Sequence, residues 1–316
     1  MKGVTERPTP EVVRDVLRGL FPSSTIDEPV ALTGGASRST WRCTVDGDGY
    51  VVQRQTPDAA REMAVEASVL TAAADVPAPP VIAHVVGDDG VSNLVTRHVE
   101  GETIARRILR DDRFATARAR LVDQLGRAAA RIHRIDPGTV DGLEPSDVLT
   151  STRTTLDELG EPHPAFEMAF RWLDDHRPDP RPPAVVHGDL RLGNVIVDDD
   201  GLAAVIDWEL AFVGNPMVDL GWLCAPAWRF GSPLPAAGVG TREALLAAYT
   251  DESGISVSLD ELIWWEVASS LRWGVMCIVQ AARHRSGSVR SHELAAIGRR
   301  TCENEHELFL ALDGRW

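Results

Sequence analysis

The sequence predicts an α+β fold of two lobes, the first an antiparallel five-stranded sheet with one long helix, the second mainly helical around a short β-hairpin. Three observations carry that expectation. Between Val30 and Arg97, short runs rich in β-branched and aromatic residues alternate with the turn signals TGGAS, DGDG and GDDG. After Gly101 the apolar residues recur at helical spacing over long segments. Inside that helical stretch lies one β island, AVVHGDLRLGNVIVDDDGLAAVIDWE, where the chemistry-bearing residues are concentrated. A chain of 316 residues allows each lobe its own core, and the expected division is 1–98 and 99–316.

Each element follows from its local pattern. PEVVRDVLRGLF sets Val12, Val13, Val16, Leu17 and Leu20 on one side of a helix, expected to pack outside the first lobe. PVAL, STWRCTV and GYVVQR read as three strands of a meander. The alanine-rich segment 58–74 is a helix ended by the prolines of VPAPPV. VIAHVV and SNLVTRHV then complete the sheet. In the second lobe GETIARRIL, ATARARLVDQLGRAAARIHRI and SLDELIWWEVASSLRWGVMCIVQAARHR are helices, while VIV and AAVI flank the turn DDDG as a hairpin would. The apolar stretch IWWEVASSLRWGVMCIVQAA carries Glu266 and Arg272 where hydrocarbon would penalise them, so a buried helix is expected and no membrane partner.

A formal charge of −15 argues against a nucleic-acid partner, which a basic patch would neutralise. Cys43, Cys224, Cys277 and Cys302 lie far apart without CxxC spacing, so neither a zinc site nor a disulfide framework is expected. Charges and prolines in MKGVTERPTPEVVRDVL interrupt the apolar core a secretion signal needs, and a cytoplasmic location is expected.

The chemistry gathers in HGDLRLGN and IDWE. Asp189 and Asn194 are five positions apart, and Asp207 lies thirteen further on, beyond the hairpin. Phosphoryl transfer needs a carboxylate near the attacking hydroxyl and oxygen ligands for magnesium between the phosphates. The hairpin ties its two ends together, so Asn194 and Asp207 can face one ion while Asp189 reaches substrate.

With those residues in view, the segment resembles the HxDxxxxN motif of the aminoglycoside phosphotransferase and choline kinase superfamily, which has the protein-kinase-like fold. LTGGASRSTW resembles its nucleotide loop, VEASVL its helix with an ion-pair glutamate, and AAARIHRIDP a common helix end. GGASRSTW, HGDLRLGN, IDWELAFVGNPMVDLGWL and WRFG are closest to the bacterial branch similar to kinase domains fused to acyl-CoA dehydrogenases. The resemblance runs from about Val30 to the final helices. It implies a kinase that uses ATP and Mg2+ to phosphorylate a small-molecule hydroxyl. Asp189 would orient or deprotonate that hydroxyl, His187 would brace the loop, and Asn194 and Asp207 would bind the metal. Gly34, Gly35, Ser37 and Ser39 would cover the phosphates. Arg97, His98 and Val99 of the hinge would hold adenine by backbone groups, and Asp219 would accept backbone hydrogen bonds from the catalytic loop.

One departure stands out. Related kinases carry a lysine or arginine on the third strand for the phosphates and for the helix glutamate, here Glu66, but GYVVQRQ offers Gln53 or, one residue on, Arg54. A one-residue shift reverses the face, and Arg54 is favoured because a phosphate site gains from a cation. Trp208 and Glu209 replace the phenylalanine and glycine of a DFG triplet. Glu209 is read either as an ion-paired loop residue or as a substrate or second-metal group. Trp222, Trp228, Trp264, Trp265 and Trp273 fall in the helical lobe, where most are expected in the core; one or two lining a pocket would suit an aminated acceptor through cation–π attraction or an apolar one by packing. Aminoglycosides, amino alcohols, sugars and hydroxyacyl thioesters stay open as acceptors. A pseudokinase, impaired through Gln53, is the alternative. A protein kinase is disfavoured because no APE-like segment follows IDWE.

Overall fold

The computed structural model describes residues 9–34, 38–55, 60–87, 89–289 and 291–316, so Gly35 and Ser37 lie outside the described residues. The first lobe comprises α1 (Pro10–Leu20), β1 (Val30–Gly34), β2 (Arg38–Val45), β3 (Asp48–Gln55), α2 (Ala60–Ala72), β4 (Val81–Val86) and β5 (Ser92–Arg97). Its five strands form one antiparallel sheet in the order β1-β2-β3-β5-β4, as expected. Strand alternation gives the sheet two distinct faces. On the outer face Trp41, Cys43, Val45, Tyr50, Val52 and Val95 form a core with Val13 and Leu17 of α1. The period-3.6 apolar stripe of α1 thus finds the partner that its amphipathicity requires. The other face carries Arg38, Thr40 and Gln53 towards α2 and the second lobe. Met63 and Leu94 there join the main core of the molecule.

The second lobe contains α3 (Ala105–Arg110), α4 (Ala115–Ile132), α5 (Val148–Leu159), α6 (Pro164–Asp175), β6 (Ala184–Val186), β7 (Val195–Val197), β8 (Leu202–Val205), β9 (Phe212–Gly214), α7 (Met217–Cys224), α8 (Arg242–Ser253), α9 (Leu259–Arg285), α10 (His292–Gly298) and α11 (Thr301–Leu312). Side-chain caps start several of these helices: Asp147, Thr241 and Ser258 accept from the amides of Thr150, Ala244 and Glu261. The expected hairpin is β7–β8, with Val195 opposite Val205. A second pairing, β6 with β9, was not anticipated, because β9 is only three residues long.

Helix α9 is long and apolar enough to cross a membrane by length and composition, yet Val267, Ala268, Leu271 and Val275 lie in the protein core. Its Glu266 is fully buried and paired with Arg229 and, at 2.7 Å, with Arg242. A buried carboxylate is tolerable only when paired in this way. The buried-helix expectation for this stretch is met.

Candidate active site

Strand β6 delivers the loop that carries the candidate catalytic residues. Val186 pairs with Phe212, and the chain then turns through His187, Gly188 and Asp189. Gly188 has φ +80°, and a Cβ there would lie 2.3 Å from the carbonyl oxygen of Leu210, so only glycine fits. Asp219, near the start of α7, accepts from the amides of His187 at 2.8 Å and Gly188 at 2.9 Å. Its Oδ2 also meets His133 Nε2 at 3.1 Å, and His133 Nδ1 meets the Tyr249 hydroxyl at 3.0 Å. Burial alone would raise the Asp219 carboxyl, but the His133 bond and charge and the His187 amide hold it below the usual range. The expected loop-holding role of Asp219 is seen in full.

His187 braces the loop through two hydrogen bonds. It is fully buried, its Nδ1 accepts from the Asp189 amide at 3.2 Å, and its Nε2 donates to the Ile206 carbonyl at 3.1 Å. Burial lowers its pKa, which suits the neutral tautomer these bonds demand. Asp189 is held by three side chains. Trp222 Nε1 donates to Oδ1 at 2.7 Å, Arg191 Nε lies 3.0 Å from Oδ1, and Asn194 Nδ2 donates to Oδ2 at 2.6 Å. The carboxylate stays partly open, with 15 % of its side chain exposed.

Asn194 also donates to the Asp189 carbonyl at 2.9 Å, so its amide nitrogen is committed to the loop and its Oδ1 is the atom left to act as a ligand. The hairpin brings Asp207 alongside, since the Ile206 amide donates to the Asn194 carbonyl at 3.0 Å. Asp207 adopts a left-handed backbone, φ +67°, an uncommon conformation that recurs at functional sites. Burial, then the negative charges of Glu209, Glu66 and Asp189, push its carboxyl up to about 7, with Arg38 opposing. Such a surplus of negative charge calls for a cation. Among the described residues no group of three or more His, Cys, Asp or Glu side chains is arranged to hold a metal alone. One carboxylate with one amide oxygen still fits magnesium, which keeps water and phosphate oxygens as its other ligands.

The sheet corrects the expectation for Arg54. Its guanidinium bonds Asn93 Oδ1 at 2.6 Å and Asp89 Oδ2 at 2.7 Å, on the outer face shared with Val52. Gln53 takes the cleft-facing position instead. The cation of Glu66 comes from β2: Arg38 Nη1 donates to Glu66 Oε2 at 2.6 Å. Glu209 lies 3.4 Å from Arg38 Nε, which supports the ion-paired reading of that residue. Ser39 is corrected too: it lies within β2 opposite Arg54, on the strand face away from Arg38, rather than in the loop over the phosphates. Gly34 closes β1 opposite Ser39. In the hinge, Arg97 turns outward to Asp48 at 2.8 Å and stacks on Tyr50, while its amide donates to Pro80. The His98 amide donates to the Gly49 carbonyl, so the hinge has the Arg97 and His98 carbonyls and the Val99 backbone to offer a base.

The residues beside Asp189 that sequence reasoning missed are mostly cations. Of the five tryptophans, Trp264 and Trp265 join the main core, while Trp222, Trp228 and Trp273 cluster behind the loop over 187–194. Their faces, however, are taken by the protein: Arg272 lies 4.6 Å over Trp222, Arg191 4.7 Å over Trp228 and Arg300 5.7 Å over Trp273. Arg272 also donates to the Gly188 carbonyl at 2.9 Å. Arg191, inside HGDLRLGN, was visible by position alone. Trp222 lies three residues after Asp219, one turn along the same helix face, which is the signal that was available for it.

A five-stranded lobe over a helical lobe, with a loop aspartate and a hairpin-linked asparagine and aspartate, defines a kinase-like phosphotransferase architecture. Residues 29–255 match the model of the phosphotransferase enzyme family APH, and the chain belongs to that family. Acyl-CoA dehydrogenase family member 11 of Mus musculus is 25 % identical over 257 residues, covering 71 % of this chain and 32 % of that protein. The chain thus matches about a third of the length of that curated relative. Among solved structures, a candidate aminoglycoside phosphotransferase of Ralstonia eutropha JMP134 superposes with TM-score 0.74 at 20 % identity, covering 96 % of this chain and 98 % of that one. The GDP and kanamycin complex of APH(2")-IIIa superposes with TM-score 0.66 at 16 % identity over 96 % and 99 % of the two chains.

Proposed function

We propose that this phosphotransferase moves the γ-phosphate of ATP to a small-molecule hydroxyl, with the lobe over 1–98 holding the nucleotide and that over 99–316 supplying the chemistry. The observation that carries the reading is the joint fixing of Asp189, Asn194 and Asp207, two by direct hydrogen bond and the third by the β7–β8 hairpin. Asn194 Oδ1 and the Asp207 carboxylate would hold Mg2+, which neutralises phosphate charge. The acceptor oxygen bonds the γ-phosphorus as the bond to the bridging oxygen of ADP breaks, and its proton passes to Asp189. Asp189 is already aimed by Trp222, Arg191 and Asn194, so little ordering is left for the reaction itself. Closure of the lobes would keep water from the γ-phosphate. A nucleotide in a neighbour of this fold, the GDP complex, is in keeping with this use of the cleft. The free cysteines fit a reducing cytosol.

The arginines bear on the acceptor. With Arg191 bonded to Asp189, and Arg272 and Arg300 on the tryptophan faces, a polycationic acceptor would meet like charge and find no open aromatic face. A neutral or anionic hydroxyl compound, a sugar or a hydroxyacyl thioester, fits better than an aminoglycoside or choline. A screen of these classes with labelled ATP or GTP and Mg2+, with Asp189→Asn as control, tests both points. Transfer of label to a neutral or anionic acceptor, lost in the variant, is expected. Nucleotide binding without transfer to any class would favour the non-catalytic module.

A further inference from the structure

The third strand leaves a triphosphate without its usual cation, since Gln53 faces the cleft and Arg54 is committed to Asn93 and Asp89. We propose that Arg38, one strand over on β2, binds the phosphate oxygens of the nucleotide in its place; the assignment rests on the kinase reading above. Across the β2–β3 ladder Arg38 pairs with Gln55 and Thr40 with Gln53, so residues 38 and 53 are diagonal neighbours on one face. In protein kinases the cation on the third strand meets both the phosphates and a helix glutamate. Arg38 already makes the second of these contacts, to Glu66 of α2.

The first contact is what its remaining donors await. The Arg38 side chain is only 10 % exposed, yet Nε and Nη2 have no hydrogen-bond partner among the described residues. Nε lies 3.4 Å from Glu209 Oε2, close enough for charge attraction alone. Buried guanidinium donors without an acceptor are costly, and the bond to Glu66 alone leaves both of them unsatisfied. A planar fork of unpartnered N–H groups matches phosphate oxygens. The position agrees: Arg38 stands between Glu66 and Glu209, and Glu209 follows two residues after Asp207. A phosphate held there would meet the same stretch of chain that carries Asp207. The cation has moved from one strand to its neighbour while keeping its glutamate.

Calorimetric titration of the full chain with MgATP and with adenosine tests this, because adenosine keeps base and ribose but lacks phosphate. Arg38→Gln is expected to weaken MgATP by about tenfold to a hundredfold, the scale of a lost charge-assisted contact, and to leave adenosine unchanged. Removing Arg38 strands the Glu66 carboxylate, so if that variant does not fold, Arg38→Gln with Glu66→Gln replaces the ion pair by an amide pair and carries the same expectation. Wild-type MgATP affinity in the folded variant, or a parallel loss of adenosine, overturns the assignment while leaving the kinase reading intact. Failure of the wild type to bind MgATP overturns both.

Discussion

The loop over 187–194 and the cleft face of β2 and β3 both belong to the proposed nucleotide site, yet they are held in different ways. In the loop every functional group has several partners: Asp189 receives three side chains, and Asp219 holds two amides and a histidine. On the sheet, one ion pair between Arg38 and Glu66 links strand to helix. A network of local bonds fixes atoms within narrow limits, because breaking one leaves a buried polar group unsatisfied. A long side chain on a strand has more latitude, so its charge can come from either of two adjacent strands on the same face.

That contrast can be broken most sharply at Asp189. Asp189→Asn keeps the hydrogen-bonding shape but cannot take a proton, and the turnover number should fall by about 10²–10⁴-fold with nucleotide affinity little changed. Single-turnover kinetics with the identified acceptor measure it, and near-normal transfer would remove Asp189 from its role. At Asp219 the cost should appear as stability. Asp219→Ala orphans the amides of His187 and Gly188, each worth about 1–3 kcal/mol, so the denaturant midpoint should drop by the equivalent of about 3 kcal/mol. A loss under about 1 kcal/mol would mean the loop is held by something else.

A smaller effect is expected with pH. With the Asp207 carboxyl pushed up to about 7, protons compete with Mg2+ below that pH and not above it. Mg2+ affinity of the nucleotide complex should therefore decline about tenfold per unit as pH falls from 7 and level off above. A flat profile through that range would show that Asp207 does not bind the ion. The smallest change should come from Arg54→Gln on the outer face. MgATP affinity should hold within about twofold, while loss of the Asn93 and Asp89 bonds costs about 1–2 kcal/mol of stability in thermal melts. A drop in MgATP affinity larger than that of Arg38→Gln would reverse the two strand faces described above.

Local patterns carried much of the molecule. Turn dipeptides and β-branched runs marked all five strands of the first lobe, and the proline and alanine content bounded α2 near its observed ends. HGDLRLGN and IDWE named Asp189, Asn194 and Asp207, because a loop and a two-stranded hairpin fix their relation over short sequence distance. Strand β9 escaped notice, being three residues paired to a strand far earlier in the chain.

What the amino-acid order determined by itself was therefore the lobe plan and the candidate triplet Asp189, Asn194 and Asp207, whose geometry is set by nearby hydrogen bonds. Only the tertiary structure decided which face Arg54 takes, that Arg38 answers Glu66 across 28 positions, and that arginines cover the tryptophans beside Asp189. The physical reason is that a strand's facing depends on register with its neighbours, where one residue of slip turns every side chain over. Contacts between distant segments are likewise chosen by packing of the whole core, which no short window of sequence contains.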